Sequence, residues 1–191
     1  MRRIGAKDIR QVKQDWHREI DHSWTLFLDR DGVINEKLPG DYVKHIDEFE
    51  FLPGVLEALE KASVIFDIIV VVTNQQGIGK GIMTDTHLFT IHQHMIKEVF
   101  NNGGRIDKIY FCPDLEIENP SHRKPRTGMA FDAREDFPSI EFTKSVIVGD
   151  SASDMEFGHR LGMKCVGIGP GAKAEETYPS LFHFIDVITS K

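Results

Sequence analysis

The chain of 191 residues predicts an α/β domain with a mainly parallel central sheet and helices on both faces. Three observations lead there. Short apolar runs rich in β-branched residues alternate with segments of helical periodicity along the chain. The strongest run, residues 66–73 (Phe-Asp-Ile-Ile-Val-Val-Val-Thr), stays apolar at successive positions, as a strand buried on both faces must. Several runs end in aspartate, threonine or glycine, and open α/β sheets bind ligands at the carboxyl ends of their strands.

The elements follow in order. Residues 1–22 mix acidic and basic side chains, with Ile9, Val12, Trp16 and Ile20 at helical spacing. They predict an amphipathic amino-terminal helix, packed on the domain or on a partner, ahead of a domain spanning 23–191. Residues 24–28 form a short buried strand. Pro53 opens a helix to about residue 62 with Val55, Leu56 and Leu59 inward. Residues 66–73 supply the central strand. Thr84 and Asp85 cap a helix that Gly103-Gly104 stops near residue 101, its buried stripe being Leu88, Ile91, Met95 and Val99. Residues 106–112, 145–149 and 165–168 read as strands, and 128–137 and 152–161 as helices. No repeat, low-complexity tract or linker divides the chain.

Composition narrows the function. Hydrophobic residues make up 40% and charged residues 28%, with a net charge of −7, which disfavours nucleic acid or an anionic membrane as the main partner. The two cysteines, Cys112 and Cys165, give no disulfide framework and fit a reducing compartment. The amino terminus does not read as a signal peptide, and the apolar stretch at 68–72 is too short to cross a bilayer. A cytoplasmic monomer is expected, with dimerisation through residues 1–22 as the alternative.

The most informative segment is Thr25-Leu-Phe-Leu-Asp29-Arg30-Asp31-Gly32. On an extended strand the i, i+2 spacing points both carboxylates to one side, and Gly32 lets the chain turn away. Two close carboxylates suit a hard metal ion, or a nucleophile beside a proton donor; a solvated turn would also explain the pair taken alone. Thr73-Asn74-Gln75-Gln76-Gly77 follows the strongest strand, a hydroxyl and exposed amides able to cradle phosphate oxygens. The Gly-x4-Gly-Lys-Ser/Thr frame of a nucleotide-binding loop fails there. Arg123-Lys124-Pro125 places two cations before a helix, and Gly149-Asp150-x3-Asp154 ends another strand with two acids. A solvated basic loop and a helix-dipole acid are the plain readings of those two when each is isolated.

In that order, Asp-x-Asp-Gly, Thr-Asn, Lys-Pro and Gly-Asp-x3-Asp resemble the four motifs of the haloacid dehalogenase superfamily of phosphohydrolases, over residues 24 to about 170. Asp29–Asn35, 49–54, 73–79 and 123–129 resemble its compact branch containing the D,D-heptose 1,7-bisphosphate and histidinol-phosphate phosphatases. The resemblance implies a Rossmann-like fold without a large cap domain. It implies an Mg²⁺-dependent phosphomonoester hydrolase working through an aspartyl-phosphate on a small phosphorylated metabolite. A heptose 1,7-bisphosphate is the first expectation; histidinol phosphate or a broad range of sugar phosphates is the alternative. Asp29 would be the nucleophile, Asp31 the acid and then base, and Lys124 the charge stabiliser. Asp29, the main-chain carbonyl of Asp31 and Asp150 would hold Mg²⁺, with Asp154 behind them. Thr73, Asn74, Gln75, Gln76, Asn35 and Arg123 would bind phosphate or substrate, and Arg30 and the segment around Tyr42 would line the entrance. A phosphate-receiving signalling domain is the alternative of another class, disfavoured because its metal acids are adjacent and its acceptor ends a middle strand.

Two further expectations concern metals. Many members of the branch carry a structural zinc loop where this chain has Cys112, Asp114, Pro120 and His122. Proline cannot coordinate through its side chain and a structural zinc takes four ligands, so zinc is not expected. His87, His92 and His94 are read as solvated helix residues, since positions two apart on a helix face different ways.

Overall fold

The computed structural model describes residues 15–190. Ile9 and Val12 lie outside that range. What is described of the amino-terminal element is a 3-10 turn, Asp15–Glu19. Its Trp16 stacks on Trp24 with ring centroids 6.1 Å apart, and Ile20 behind it is buried.

Among the described residues, six strands form one sheet: β1 (Thr25–Leu28), β2 (Ile68–Asn74), β3 (Lys108–Cys112), β4 (Ser145–Gly149), β5 (Lys164–Ile168) and β6 (Thr177–Tyr178). Their order is β3-β2-β1-β4-β5-β6, and every pairing is parallel. Five α-helices accompany them: α1 (Val55–Ile65), α2 (Asp85–Asn101), α3 (Gly128–Asp136), α4 (Ala152–Leu161) and α5 (Leu181–Thr189).

Strand alternation sorts the apolar side chains into two cores. Leu26, Leu28, Ile69, Val71, Val146 and Val148 face one, with apolar residues of α1, α2 and α5. Phe27, Val70, Val72 and Ile147 face the other, with Met129, Ala130 and Ala133 of α3 and Phe157 of α4. Both faces are covered, which is why the strands read as continuous apolar runs. Helix α4 approaches the sheet closely at Gly158, where a Cβ would lie 2.3 Å from the Ile147 side chain.

Apart from the amino-terminal helix, the expected elements are present with boundary shifts of up to three residues, the largest at the end of α1, which runs on to Ile65. β6 and α5 were not anticipated. β6 has two residues, too few to carry a period. α5 does carry one, in Leu181, Phe184, Ile185 and Ile188, and Ser180 caps it by accepting from the His183 N–H.

The order of strands fixes where function can sit. After β1 the chain builds β2 and β3 on one side, then returns to β4 on the other, so connections diverge between β1 and β4. Leu28 stands opposite Val148, and the Asp29 N–H donates to the Val148 carbonyl at 2.9 Å. Asp29 therefore emerges at the point where the two halves of the sheet part.

Candidate active site

A cleft of about 410 Å³ opens there, lined by Asp29, Asp31, Thr73, Lys124, Asp150 and Asp154 among others. Its floor is a buried charge cluster. Lys124 Nζ lies 2.8 Å from Asp29 Oδ1 and 2.5 Å from Asp154 Oδ1, with Lys124 only 3% exposed and Asp29 9%. Burial, with the Asp154 carboxylate adding and Lys124 opposing, pushes Asp29 up to about 7. Burial works against the Lys124 ammonium, yet the Asp154 and Asp29 carboxylates hold it above its ordinary range. Asn74 sets the height of this lysine: its side-chain Oδ1 accepts from the Lys124 N–H at 2.9 Å and its Nδ2 donates to the Lys124 carbonyl at 3.1 Å.

Asp31 is held differently. Arg30 Nη2 donates to both its oxygens at 2.9 and 3.0 Å. Asn35 Nδ2 and Gln75 Nε2 each donate at 2.9 Å, and Gln75 also donates to Thr73 Oγ1 at 2.8 Å. Burial raises its pKa, but the Arg30 charge and these hydrogen bonds outweigh that and hold it below the ordinary carboxylate value. Two carboxylates two residues apart thus have environments pushing them in opposite directions, Asp29 toward its neutral form and Asp31 toward its ionised one.

Asp150 ends β4 beside them. One oxygen, Oδ2, meets Lys37 Nζ at 2.6 Å; the other, Oδ1, is buried without a hydrogen-bond partner. Gly32 lets it come so near: at φ 86° it adopts a left-handed conformation, and a Cβ there would stand 2.5 Å from Asp150 Oδ2. Among the described residues, Asp29, Asp150 and Asp154 are the one group of side chains able to hold a metal ion, each offering an oxygen within 4.8 Å of the others. An all-oxygen acidic set with an orphaned acceptor fits a hard divalent cation. Asp154 is already committed, its Oδ2 accepting from the Ser151 N–H and hydroxyl and its Oδ1 facing Lys124. The Asp31 carboxylate is not in the group.

A HAD-hydrolase-like family model matches residues 121–186. A D-glycero-alpha-D-manno-heptose-1,7-bisphosphate 7-phosphatase from Mycobacterium bovis is 39% identical over 171 residues, 85% of this chain and 90% of that protein. The chain belongs to the haloacid dehalogenase superfamily. A D-glycero-beta-D-manno-heptose-1,7-bisphosphate 7-phosphatase from Rhodopseudomonas palustris is 33% identical over 72% of this chain and 78% of that one. The crystal structure of D,D-heptose 1,7-bisphosphate phosphatase from B. bronchiseptica, complexed with magnesium and phosphate, superposes with a TM-score of 0.79. It is 26% identical and covers 87% of this chain and 98% of that chain. The protein is a phosphatase of this superfamily.

For this superfamily member the expected residues fall into four placements. Asp29, Asp31, Thr73, Asn74, Gln76, Lys124, Asp150 and Asp154 all line the one cleft. Asn35 and Gln75 do not: both are buried, and their amides face Asp31 rather than a ligand. Arg123 lines a neighbouring cleft with Arg126 and Arg160, its Nη2 3.3 Å from Glu116. Arg30 is not at the entrance. It is fully buried behind Asp31, and so is a support where a lining residue was expected.

Lys37 and Lys80 line the cleft and carried no expectation; a lysine in an irregular loop has no period to reveal its direction. His92 corrects the solvated-histidine reading. It is buried, with Nε2 3.2 Å from Arg30 Nη1, because position 92 falls next to Ile91 on the inward side of α2. Cys112 and Asp114 stay together, Sγ to Oδ2 3.7 Å, whereas His122 Nε2 is 3.1 Å from Asp132 on α3. Among the described residues these three do not converge on one metal position.

Proposed function

We propose that this phosphatase removes the 7-phosphate of a D-glycero-D-manno-heptose 1,7-bisphosphate, with the alpha anomer as the natural substrate. The observation that carries the chemistry is the meeting of Asp29, Asp31, Thr73, Lys124 and Asp150 in one cleft at the carboxyl edge of the sheet. The alpha anomer is supported by its place in the name of the relative that is 39% identical over 85% of this chain, whereas relatives named for the beta anomer are 33% to 37% identical over 69% to 75% of it. Lys37 and Lys80 at the cleft suit a substrate that keeps a second phosphate after the reaction.

Asp29 attacks phosphorus, forming an O–P bond as the ester O–P bond breaks, and Asp31 gives its proton to the departing sugar oxygen. A water then attacks the aspartyl-phosphate while Asp31 takes its proton, releasing phosphate and returning Asp29 as the carboxylate and Asp31 as the carboxylic acid. Arg30, Asn35 and Gln75 favour the ionised Asp31 of the second step; an arriving phosphate dianion beside it favours the protonated form of the first. Thr73 and the Asn74 amide orient the transferring group, and Lys124 balances its charge. Asp29, Asp150 and the Asp31 carbonyl would hold Mg²⁺, with Asp154 behind them. Bound there, Mg²⁺ would neutralise charge that otherwise repels phosphate from four carboxylates. The reading carries a cytoplasmic location, supported by two unpaired cysteines, and no described helix is long and apolar enough to cross a membrane.

The test is kcat/KM, with added Mg²⁺, across both anomers of heptose 1,7-bisphosphate, histidinol phosphate and common sugar phosphates. The alpha anomer should lead the other ester classes by at least ~100-fold, about 2.7 kcal/mol of transition-state discrimination. A flat profile would overturn the substrate, and preference for the beta form would overturn the anomer.

A further inference from the structure

Arg30 is a guanidinium with no exposed surface, and a buried charge persists only where its donors are matched. Toward the cleft it is matched by Asp31: Nε donates at 3.3 Å and Nη2 at 2.9 and 3.0 Å to the two carboxylate oxygens. On the far side Nη1 lies 3.2 Å from His92 Nε2. A guanidinium has donors only, so His92 Nε2 must be the acceptor and the ring proton must sit on Nδ1. The ring is enclosed, His92 being 6% exposed, and Phe111 meets it edge-on with centroids 6.0 Å apart. Arg30 is thus gripped at both ends, by the carboxylate in front and the imidazole behind.

We propose that His92, on α2 and outside the cleft, is a positioning residue for proton transfer: by accepting from Arg30 it holds the guanidinium fork square on the Asp31 carboxylate. This rests on the reading of Asp31 as the proton carrier. Asn35 and Gln75 each hold one oxygen of Asp31 from the side; Arg30 alone spans both oxygens, so the rotation of the carboxyl plane follows the guanidinium. Without an acceptor behind it, Nη1 is left unpaired in a buried site and the fork turns to find a partner, carrying Asp31 with it. Substrate binding is not touched, because His92 meets Arg30 and Phe111 and does not line the cleft. Burial, with the Arg30 charge adding, holds the imidazole down to about 3, so the acceptor persists at neutral pH.

Full-length enzyme with Mg²⁺ is compared as wild type, His92→Leu and His92→Gln, on whichever phosphate ester the wild type turns over fastest. Leucine keeps the volume and removes the acceptor; the glutamine Oε1 can stand where Nε2 stood. His92→Leu should lose kcat by roughly 10- to 100-fold, the cost of a small misplacement of a catalytic group, with KM within about twofold. His92→Gln should recover most of that loss. An unchanged kcat in the leucine variant, or a glutamine variant as impaired as leucine, overturns the proposal. If the leucine variant does not fold, ¹⁵N NMR of wild-type His92 decides: an unprotonated Nε2 with the proton on Nδ1 at neutral pH supports it, and a protonated Nε2 refutes it. A wild type without turnover on any ester refutes the phosphatase chemistry of Asp31; normal wild-type turnover with an unaffected leucine variant refutes the role of His92 alone.

Discussion

Replacing Lys124 by methionine removes one charge from a place where three meet. The ammonium stands 2.8 Å from Asp29 and 2.5 Å from Asp154, both buried, and methionine matches the length of the aliphatic stem. Removing one partner of a buried ion pair costs about 3–5 kcal/mol, because the charge left behind has no water to replace it. For a chain of this size each kcal/mol shifts Tm by roughly 2–4 °C, so the metal-free variant should melt roughly 6–20 °C lower. The sign of the pH dependence follows. Without Lys124 the folded-state pKa of Asp29 rises further above its unfolded value. The folded variant then binds protons more tightly than the unfolded chain, and its deficit shrinks as pH falls toward ~4. Added Mg²⁺ should restore part of the loss near neutral pH by supplying the missing positive charge. Scanning calorimetry in chelator at about pH 7.5 and about pH 4, then with Mg²⁺ at the higher value, reads all three effects. A variant melting within ~2 °C of wild type, or a deficit that grows on acidification, would refute the reasoning.

Other substitutions test separate parts of the site. Lys37→Met frees Asp150 Oδ2 from its 2.6 Å partner and should tighten Mg²⁺ binding by about two- to fivefold in calorimetric titration, the range of a half-exposed ion pair; weaker binding would contradict it. Gly149→Ala sets a Cβ 2.2 Å from the Asp154 Cβ. It should cost about 1–3 kcal/mol in denaturant unfolding and weaken Mg²⁺ binding, whereas a wild-type midpoint would show that the contact relaxes freely. Burial and the Arg30 charge hold the His92 imidazole down to about 3, against an ordinary 6.5, so its stabilising contribution is complete above ~6.5 and is lost as pH falls toward 3. Between pH 7 and pH 5 His92→Gln should lose about 2 kcal/mol less stability than wild type, and parallel losses would refute the buried neutral imidazole.

Much of this was legible in the chain because the physics is local. Parallel strands buried on both faces leave apolar runs, and residues 66–73 announced β2 to within two residues at either end. Asp29, Thr73 and Asp150 were findable because each follows directly on such a run, which fixes the end of the sheet to which it belongs. The misread residues depend on direction rather than position. Arg30 alternates with two carboxylates and so points behind them, into the core, where its stem and charge are absorbed by His92 and Asp31. Asn35 and Gln75 looked like ligand-binding amides, yet their donors are used up on Asp31, the Glu36 carbonyl and the Thr73 hydroxyl. Lys37 sits in an irregular loop, and only the folded chain shows it reaching Asp150 across 113 residues of sequence.

The central claim is that Asp29 carries the phosphoryl group. The direct measurement is mass spectrometry of peptides from wild type and Asp29→Asn, acid-quenched during turnover of heptose 1,7-bisphosphate with Mg²⁺. One phosphoryl increment on Asp29 in the wild type, with neither increment nor turnover in the variant, is the predicted result. Phosphate found on another residue, or turnover surviving in Asp29→Asn, would contradict the account.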